Sequence, residues 1–452
     1  MTLAKKPFMQ PAGRRRSYAG MAAIAALLTL AAAPARATQI ERVVSPGGIE
    51  AWVVHEPSPL IAVDFAFAGG SEQDPPGKPG VAYLAADLWD DGAGDLDAKA
   101  FHGKLEDKSI GLSFSAGRDH VRGSLRTLTV NRDEAFDYLR LALTAPRFDA
   151  DAVERARAQL VSRLERQATS PNDIASRTWW QAAFPDHAYG RPIAGTPDSI
   201  GRITIDDMKT YTRRVLARGQ LKVAIVGDIA AADVGALLDR TFGTLPAQPE
   251  LTPVPDVVMQ GLGRRIVVPL DVPQAVVTFG TRGIGRGDPD FMAAYIVNYI
   301  LGGGSFSSRL YKEVREKRGL AYGVSDSLSW FKHAAVLIGG TATRSAVTGE
   351  AIDIIESEIH RLAEAGPLEQ EVADAKSYLE GSYALGLDTS AKVAGQLVQI
   401  QLDNLGIDYI DRRTGMIEAV TLADTKRVAK RLLDAGLLVT VVGQPQGVTS
   451  TQ

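Results

Sequence analysis

Two stretches of this chain follow one layout: "ITIDDMKTYTRRVLARGQLKVAIVGD" (203–228) and "VTLADTKRVAKRLLDAGLLVTVVGQ" (420–444). Thr204, Asp207, Lys209, Arg214 and Gly219 return 217 residues later as Thr421, Asp424, Lys426, Arg431 and Gly436. Each copy reads as a capped helix, a glycine stop, and a continuous β-rich run ending in glycine. Asp206 or Asp207 in the first copy, and Asp424 in the second, place acid near a helix N-terminus, where the helix dipole favours it. Solenoid units recur every ~20–50 residues. A period near 200 instead predicts the same domain written twice.

Earlier parts of the two halves correspond as well. "AVDFAFAGGSEQD" and "AVVTFGTRGIGRGDPD" each read as a strand leaving through a Gly/Asp-rich turn. A helix follows in each, "GVAYLAADLWDDG" and "FMAAYIVNYILGGG", and later an amphipathic one, "DADAVERARAQLVSRLERQ" and "LEQEVADAKSYLEGSYA". Between the halves, Pro246, Pro249, Pro253 and Pro255 keep the chain extended. The predicted organisation is an N-terminal domain over 38–245, a proline-rich linker over 246–262, and a C-terminal domain over 263–452.

The first 37 residues read as a removable leader. Lys5, Lys6 and Arg14–Arg16 form a basic front, "AGMAAIAALLTLAAA" an apolar run, and Ala35-Arg36-Ala37 a small-x-small cleavage signature. The run is shorter than the ~20 residues of a spanning helix. The expectation is export to the periplasm, cleavage near Ala37, and no membrane span in the mature chain. Losing the leader removes six of 50 basic residues and none of 53 acidic ones, which leaves a net charge of −9. That balance argues against a nucleic-acid partner. The absence of cysteine excludes disulfides and thiolate chemistry.

The paired halves, "HAYGRPIAGTPDSIGRITIDDMKTYTRR", "LKVAIVGD" and "NYILGGGSFSSRLYKEVREKRGLAYGV" together resemble the pitrilysin/insulinase family of zinc metallopeptidases. The likeness is to its smaller members, which include the mitochondrial processing peptidase subunits. It implies an α+β fold of two duplicated domains, each a mostly antiparallel sheet packed by helices. Active members carry H-x-x-E-H on the first helix of the N-terminal half, where two His bind zinc and the Glu polarises water. Here the matching stretch is "PGVAYLAADL". Tyr83 stands for the first His, Ala86 for the Glu and Asp87 for the second His. An ungapped reading from Glu154 puts Arg163 where the third ligand, a Glu, belongs. The six His offer no substitute, since no two lie within five residues of each other. The expectation is no zinc in this chain.

The second half departs less from the family. There the C-terminal half contributes an Arg and a Tyr to a zinc site supplied by another half or subunit, and by resemblance these are Arg315 and Tyr322. A phenol can donate a hydrogen bond to the tetrahedral oxyanion of peptide hydrolysis, and a guanidinium can hold carbonyls or the phenol. Periodicity alone points elsewhere. It places Tyr322, Val324, Leu328 and Trp330 on one strand face, so that Tyr322 reads as a core tyrosine. Arg315 reads as a helix-end cation beside Lys317 and Arg318. In "LGGGSFSSRL" the resemblance implies a glycine-bearing loop, Gly302, Gly303, Gly304 and Ser305, bordering a peptide groove; the phosphate-loop spacing and lysine are lacking.

The resemblance therefore implies a subunit inactive alone, which completes the zinc site of an H-x-x-E-H partner for peptide hydrolysis. The alternative, of a different class, is a non-enzymatic peptide-binding or scaffold subunit of the same fold.

Overall fold

The structure, a computed structural model, describes residues 39–451. The leader read at residues 1–37 lies outside the described residues.

Long apolar runs such as "VAIVG" and "LVTVVG" lack the alternation of a strand with one wet face, and each forms the buried interior of a sheet. Six strands build the first sheet: β1 (Ile40–Val44), β2 (Glu50–His55), β3 (Leu60–Ala68), β4 (Gly111–Ala116), β5 (His120–Leu128) and β6 (Lys222–Gly227). Their order is β1-β2-β6-β3-β5-β4. The second sheet holds β7 (Arg265–Pro269), β8 (Gln274–Arg282), β9 (Ala321–Trp330), β10 (Ala335–Arg344) and β11 (Leu438–Gly443), in the order β7-β11-β8-β10-β9. Without β1, the two orders are the same. In both sheets one pair is parallel, β2 with β6 and β7 with β11, and all other pairs are antiparallel. The fold is α+β with two mostly antiparallel sheets, and residues 246–262 between them form neither helix nor strand.

The matching helices start alike. Thr204 caps Ile205–Val215 and Thr421 caps Leu422–Leu433, each in a reciprocal box with the aspartate three residues on, Asp207 or Asp424. Their stops differ. Gly436 has φ +80, a conformation glycine adopts without strain, whereas Gly219 needs no positive φ and is a glycine because a Cβ would sit 2.4 Å from the Ala247 carbonyl oxygen.

One face of each sheet is covered by helices from its own half. The other face is covered by a helix from the opposite half. Helix Ser390–Leu402 lays Val393, Ala394, Leu397 and Val398 in one apolar cluster with Trp52, Val54, Ala66, Ala224 and Val226 of the first sheet. Gln401 fixes its depth by donating to the Val223 carbonyl at 3.0 Å. In return, Pro171–Ala183 packs across β8 and β11, and its buried Trp179 donates to the Leu438 carbonyl at 3.1 Å. Gly280 on β8 leaves the room that ring needs, since a Cβ there would meet Trp179 at 2.5 Å. No helix among the described residues is long and apolar enough to cross a membrane.

Candidate functional site

The segment from Asn298 to Val324 is built to present two side chains at an edge. Helix Phe291–Asn298 passes through a wider helical turn, Tyr299–Gly303, and breaks at Ser305, whose φ is +50. Ser308 caps the next turns, Arg309–Tyr311 and Lys312–Glu316, whose Leu310 and Val314 are fully buried. Gly319, at φ +62, ends them and turns the chain into β9, the edge strand of the second sheet.

Tyr322 does not join Val324 and Leu328 in the core. Val324 pairs with Thr341, but Ala321 pairs with Thr343, so Tyr322 and Gly323 together face one residue of β10. This β-bulge resets the alternation. Ala321 and Val324 both point inward and Tyr322 turns out, 85% exposed. The core-tyrosine expectation from periodicity is therefore wrong, because it assumed an unbroken period of two. The phenol hydroxyl has no hydrogen-bond partner among the described residues.

Nor is Arg315 a plain helix-end cation. Its guanidinium lies 4.5 Å from the centre of the Tyr322 ring and 4.9 Å from that of Tyr311, and it donates to the Tyr311 hydroxyl. The neighbours expected to resemble it behave differently: Lys317 and Arg318 both pair with Glu313 at 2.6 Å. Glu313 is held below the usual carboxylate range by these two partners. Phe306, itself exposed, meets Tyr311 edge-on at 4.9 Å, so the strip runs Phe306, Tyr311, Arg315, Tyr322. Tyr311 was missed in the sequence, although its place four residues before Arg315 puts it on the same helical face.

The glycine segment divides. Gly302 is buried, and a Cβ on it would come within 2.8 Å of the backbone nitrogen and carboxyl of Asp326. Asn298 donates to that carboxyl at 2.6 Å, and burial pushes its pKa well above the usual range. Gly302 thus serves close approach of helix and strand. A Cβ on Gly304 would sit 2.7 Å from the Tyr299 carbonyl oxygen. Gly303 and Ser305 are exposed beside Phe306.

The degenerate motif also has a definite geometry. Tyr83, Ala86 and Asp87 lie on helix Val81–Asp87 and Arg163 on Ala150–Ala168. The Arg163 guanidinium stands 5.0 Å from the centre of the Tyr83 ring. Burial raises the Asp87 pKa, and Arg163 opposes that rise. The donor set is a phenol, a buried methyl and one carboxylate, with a fixed cation beside them. Zinc needs three or four N, S or O ligands, and these residues do not fit it. Among the described residues no group of three or more His, Asp or Glu could hold a metal ion.

Comparison with known proteins bears on both places. Residues 53–197 match the family described as Insulinase (Peptidase family M16), and residues 202–379 match the Peptidase M16 inactive domain. The chain is 28% identical to the non-peptidase homolog YmxG of Helicobacter pylori, over 75% of this chain and 78% of that one. It is 26% identical to an uncharacterized zinc protease of Streptomyces coelicolor, over 89% of each. The crystal structure of a peptidase M16 inactive domain from Pseudomonas fluorescens superposes with a TM-score of 0.83 at 26% identity, covering 92% of this chain and 99% of that one. With the strand order shared by its two halves and these matches, the chain belongs to the insulinase (M16) peptidase family.

Proposed function

We propose that this chain is the non-zinc subunit of a heteromeric, exported metallopeptidase, made of duplicated domains over 38–245 and 263–452, with its leader cleaved near Ala37. A homologous subunit with an intact H-x-x-E-H would hold the zinc, and this chain would lend Arg315, Tyr322 and a part of the peptide groove around Gly303, Gly304 and Ser305. One observation carries the reading: a bulge turns Tyr322 out of the core, with Arg315 set against its ring. A buried tyrosine would be explained by packing. An 85% exposed one with an unpaired hydroxyl is not.

The chain's own residues suit the task. Peptide hydrolysis develops negative charge on the carbonyl oxygen, and a phenol donor placed there stabilises it without being consumed. Arg315 limits the ring's freedom and sets a guanidinium against its face. A second reading is favoured by the likeness to the Helicobacter non-peptidase homolog: a scaffold or peptide-binding subunit with no part in the chemistry.

Steady-state kinetics on the complex reconstituted with its H-x-x-E-H partner separates the two. Tyr322→Phe is expected to lower kcat about 10²–10³-fold, as loss of an oxyanion donor does, with a smaller change in KM. Arg315→Ala is expected to damage both. Unchanged turnover in a folded, zinc-loaded Tyr322→Phe complex would leave the scaffold reading standing.

A further inference from the structure

A second place, away from Arg315 and Tyr322, gathers more cations than carboxylates. A cleft of about 820 Å³ opens where the ends of the two sheets meet, bounded by the β4–β5 turn, the start of β6, the loop after β8, the β9–β10 turn and the end of helix Ser390–Leu402. Its lining holds Arg118, Arg122 and Lys222 from the first half and Arg286 and Lys332 from the second, of which Arg118 is already engaged by the Tyr189 carbonyl and the Trp180 ring. Two carboxylates, Asp119 and Asp403, line it too, Asp119 engaged at both oxygens and Asp403 at one. Asp119 accepts from the Tyr189 hydroxyl and from the Lys332 backbone N–H, the latter at 2.9 Å. Asp403 accepts from Trp330 at 3.1 Å and from Gln399 at 3.0 Å. His120 adds no charge, since burial pushes its pKa down to about 4.

Arg286 is the telling group. Its side chain is only 10% exposed, yet no hydrogen-bond acceptor lies within reach among the described residues, and the nearest carboxylate, Asp403, stands 3.9 Å away. The rings of Phe291 and Tyr409, at 4.2 and 5.1 Å, accommodate the cation but accept none of its five N–H groups in an ordinary hydrogen bond. Its N–H groups are not sealed off but open onto the cleft, where an anion can meet them. Arg122 reaches the same place by another route: it donates to Gln399 at 2.6 Å, and Gln399 donates to Asp403. So one arginine from each half converges on a single Gln399–Asp403 pair. The excess of cations is local, since residues after the leader carry a net charge of −9 when the six leader cations are taken from 50 basic against 53 acidic residues.

We propose that this cleft binds a small polyanion, a molecule bearing two or more phosphate or carboxylate groups, with Arg286 and Arg122 as its principal ligands. Both groups match the planar fork of a guanidinium. The volume lies within the ~300–1,000 Å³ of small-molecule sites. Bound there, the anion bridges the two halves and supplies the acceptors Arg286 lacks.

Isothermal titration of the full chain with tripolyphosphate and, separately, with citrate tests this at fixed ionic strength. Saturable one-to-one binding of at least one probe is expected, weakened about tenfold or more by Arg286→Gln and by Arg122→Gln, the loss of one charge-assisted hydrogen bond. Arg344→Gln, on the exposed surface outside the cleft, is expected to change nothing. Which probe binds separates a phosphate ligand from a carboxylate one. Should Arg286→Gln fail to fold, Arg122→Gln decides alone. No saturable binding of either probe at millimolar concentration, binding indifferent to both substitutions, or binding of a Glu-rich peptide in place of both probes would overturn the proposal.

Discussion

Trp179→Ala tests whether the exchanged helices hold the molecule together. Trp179 sits on a helix that precedes the linker, but its ring is fully buried against the sheet that follows it. Removing roughly 150 Å² of buried apolar surface beyond the alanine stub, at ~25 cal/mol per Å², removes about 4 kcal/mol. The lost bond to the Leu438 carbonyl adds about 1 kcal/mol. Gly280 beneath the ring has no side chain to fall into the space, so the cavity persists. The expected loss is about 4–5 kcal/mol. Urea denaturation followed by far-ultraviolet circular dichroism and by the fluorescence of the remaining tryptophans measures it. Trp52 and Trp89 report on the first half, and the two signals are expected to shift together because the damage lies between the halves. A loss below about 1 kcal/mol, the range of ordinary surface substitutions, would refute the reasoning.

Tyr322→Ala, by contrast, is expected to change stability by no more than about 0.5 kcal/mol, because the bulge keeps the ring out of the core; a thermal melt showing a core-sized loss would put the ring back inside. The purified chain is expected to retain no stoichiometric zinc after dialysis, and the triple variant Tyr83→His, Ala86→Glu, Asp87→His none either, since the Arg163 guanidinium stands beside position 83; metal analysis checks both. Asp290, bound by Arg427 and Arg431, has its pKa lowered to about 2. A depressed carboxylate contributes stability above its unfolded pKa of ~3.9 and loses it as pH falls through the folded value. Acid denaturation of Asp290→Asn is therefore expected to lack the part of the wild-type stability loss that falls between about pH 4 and pH 2.

Local features were the legible ones. Thr204 and Asp207, or Thr421 and Asp424, satisfy each other within four residues, so the capped helices could be read directly. Tyr83 and Arg163 were singled out by resemblance, and their contact is seen only in the structure. What escaped reading depends on partners far along the chain. The bulge at Tyr322 is a fact about registry with β10, and nothing in "GLAYGV" announces it. The amphipathic stripe of Pro171–Ala183 says that one face is buried, but not that the burying sheet begins some 90 residues later. Arg286 carries no sequence mark at all. Its lack of a hydrogen bond shows only once the fold has set the nearest carboxylate oxygen, on Asp403, 3.9 Å away.

The exchange of helices also sets a schedule. β6 closes the first sheet at Gly227, but the helix that covers its second face ends at Leu402, about 175 residues later. At ~5–20 residues per second of synthesis, the first half waits roughly 10–35 seconds with Trp52, Val54 and Val226 bare. Throughout that interval the growing chain offers a sticky apolar surface to anything nearby, so a newborn molecule stays open to holding factors until nearly its whole length has been made.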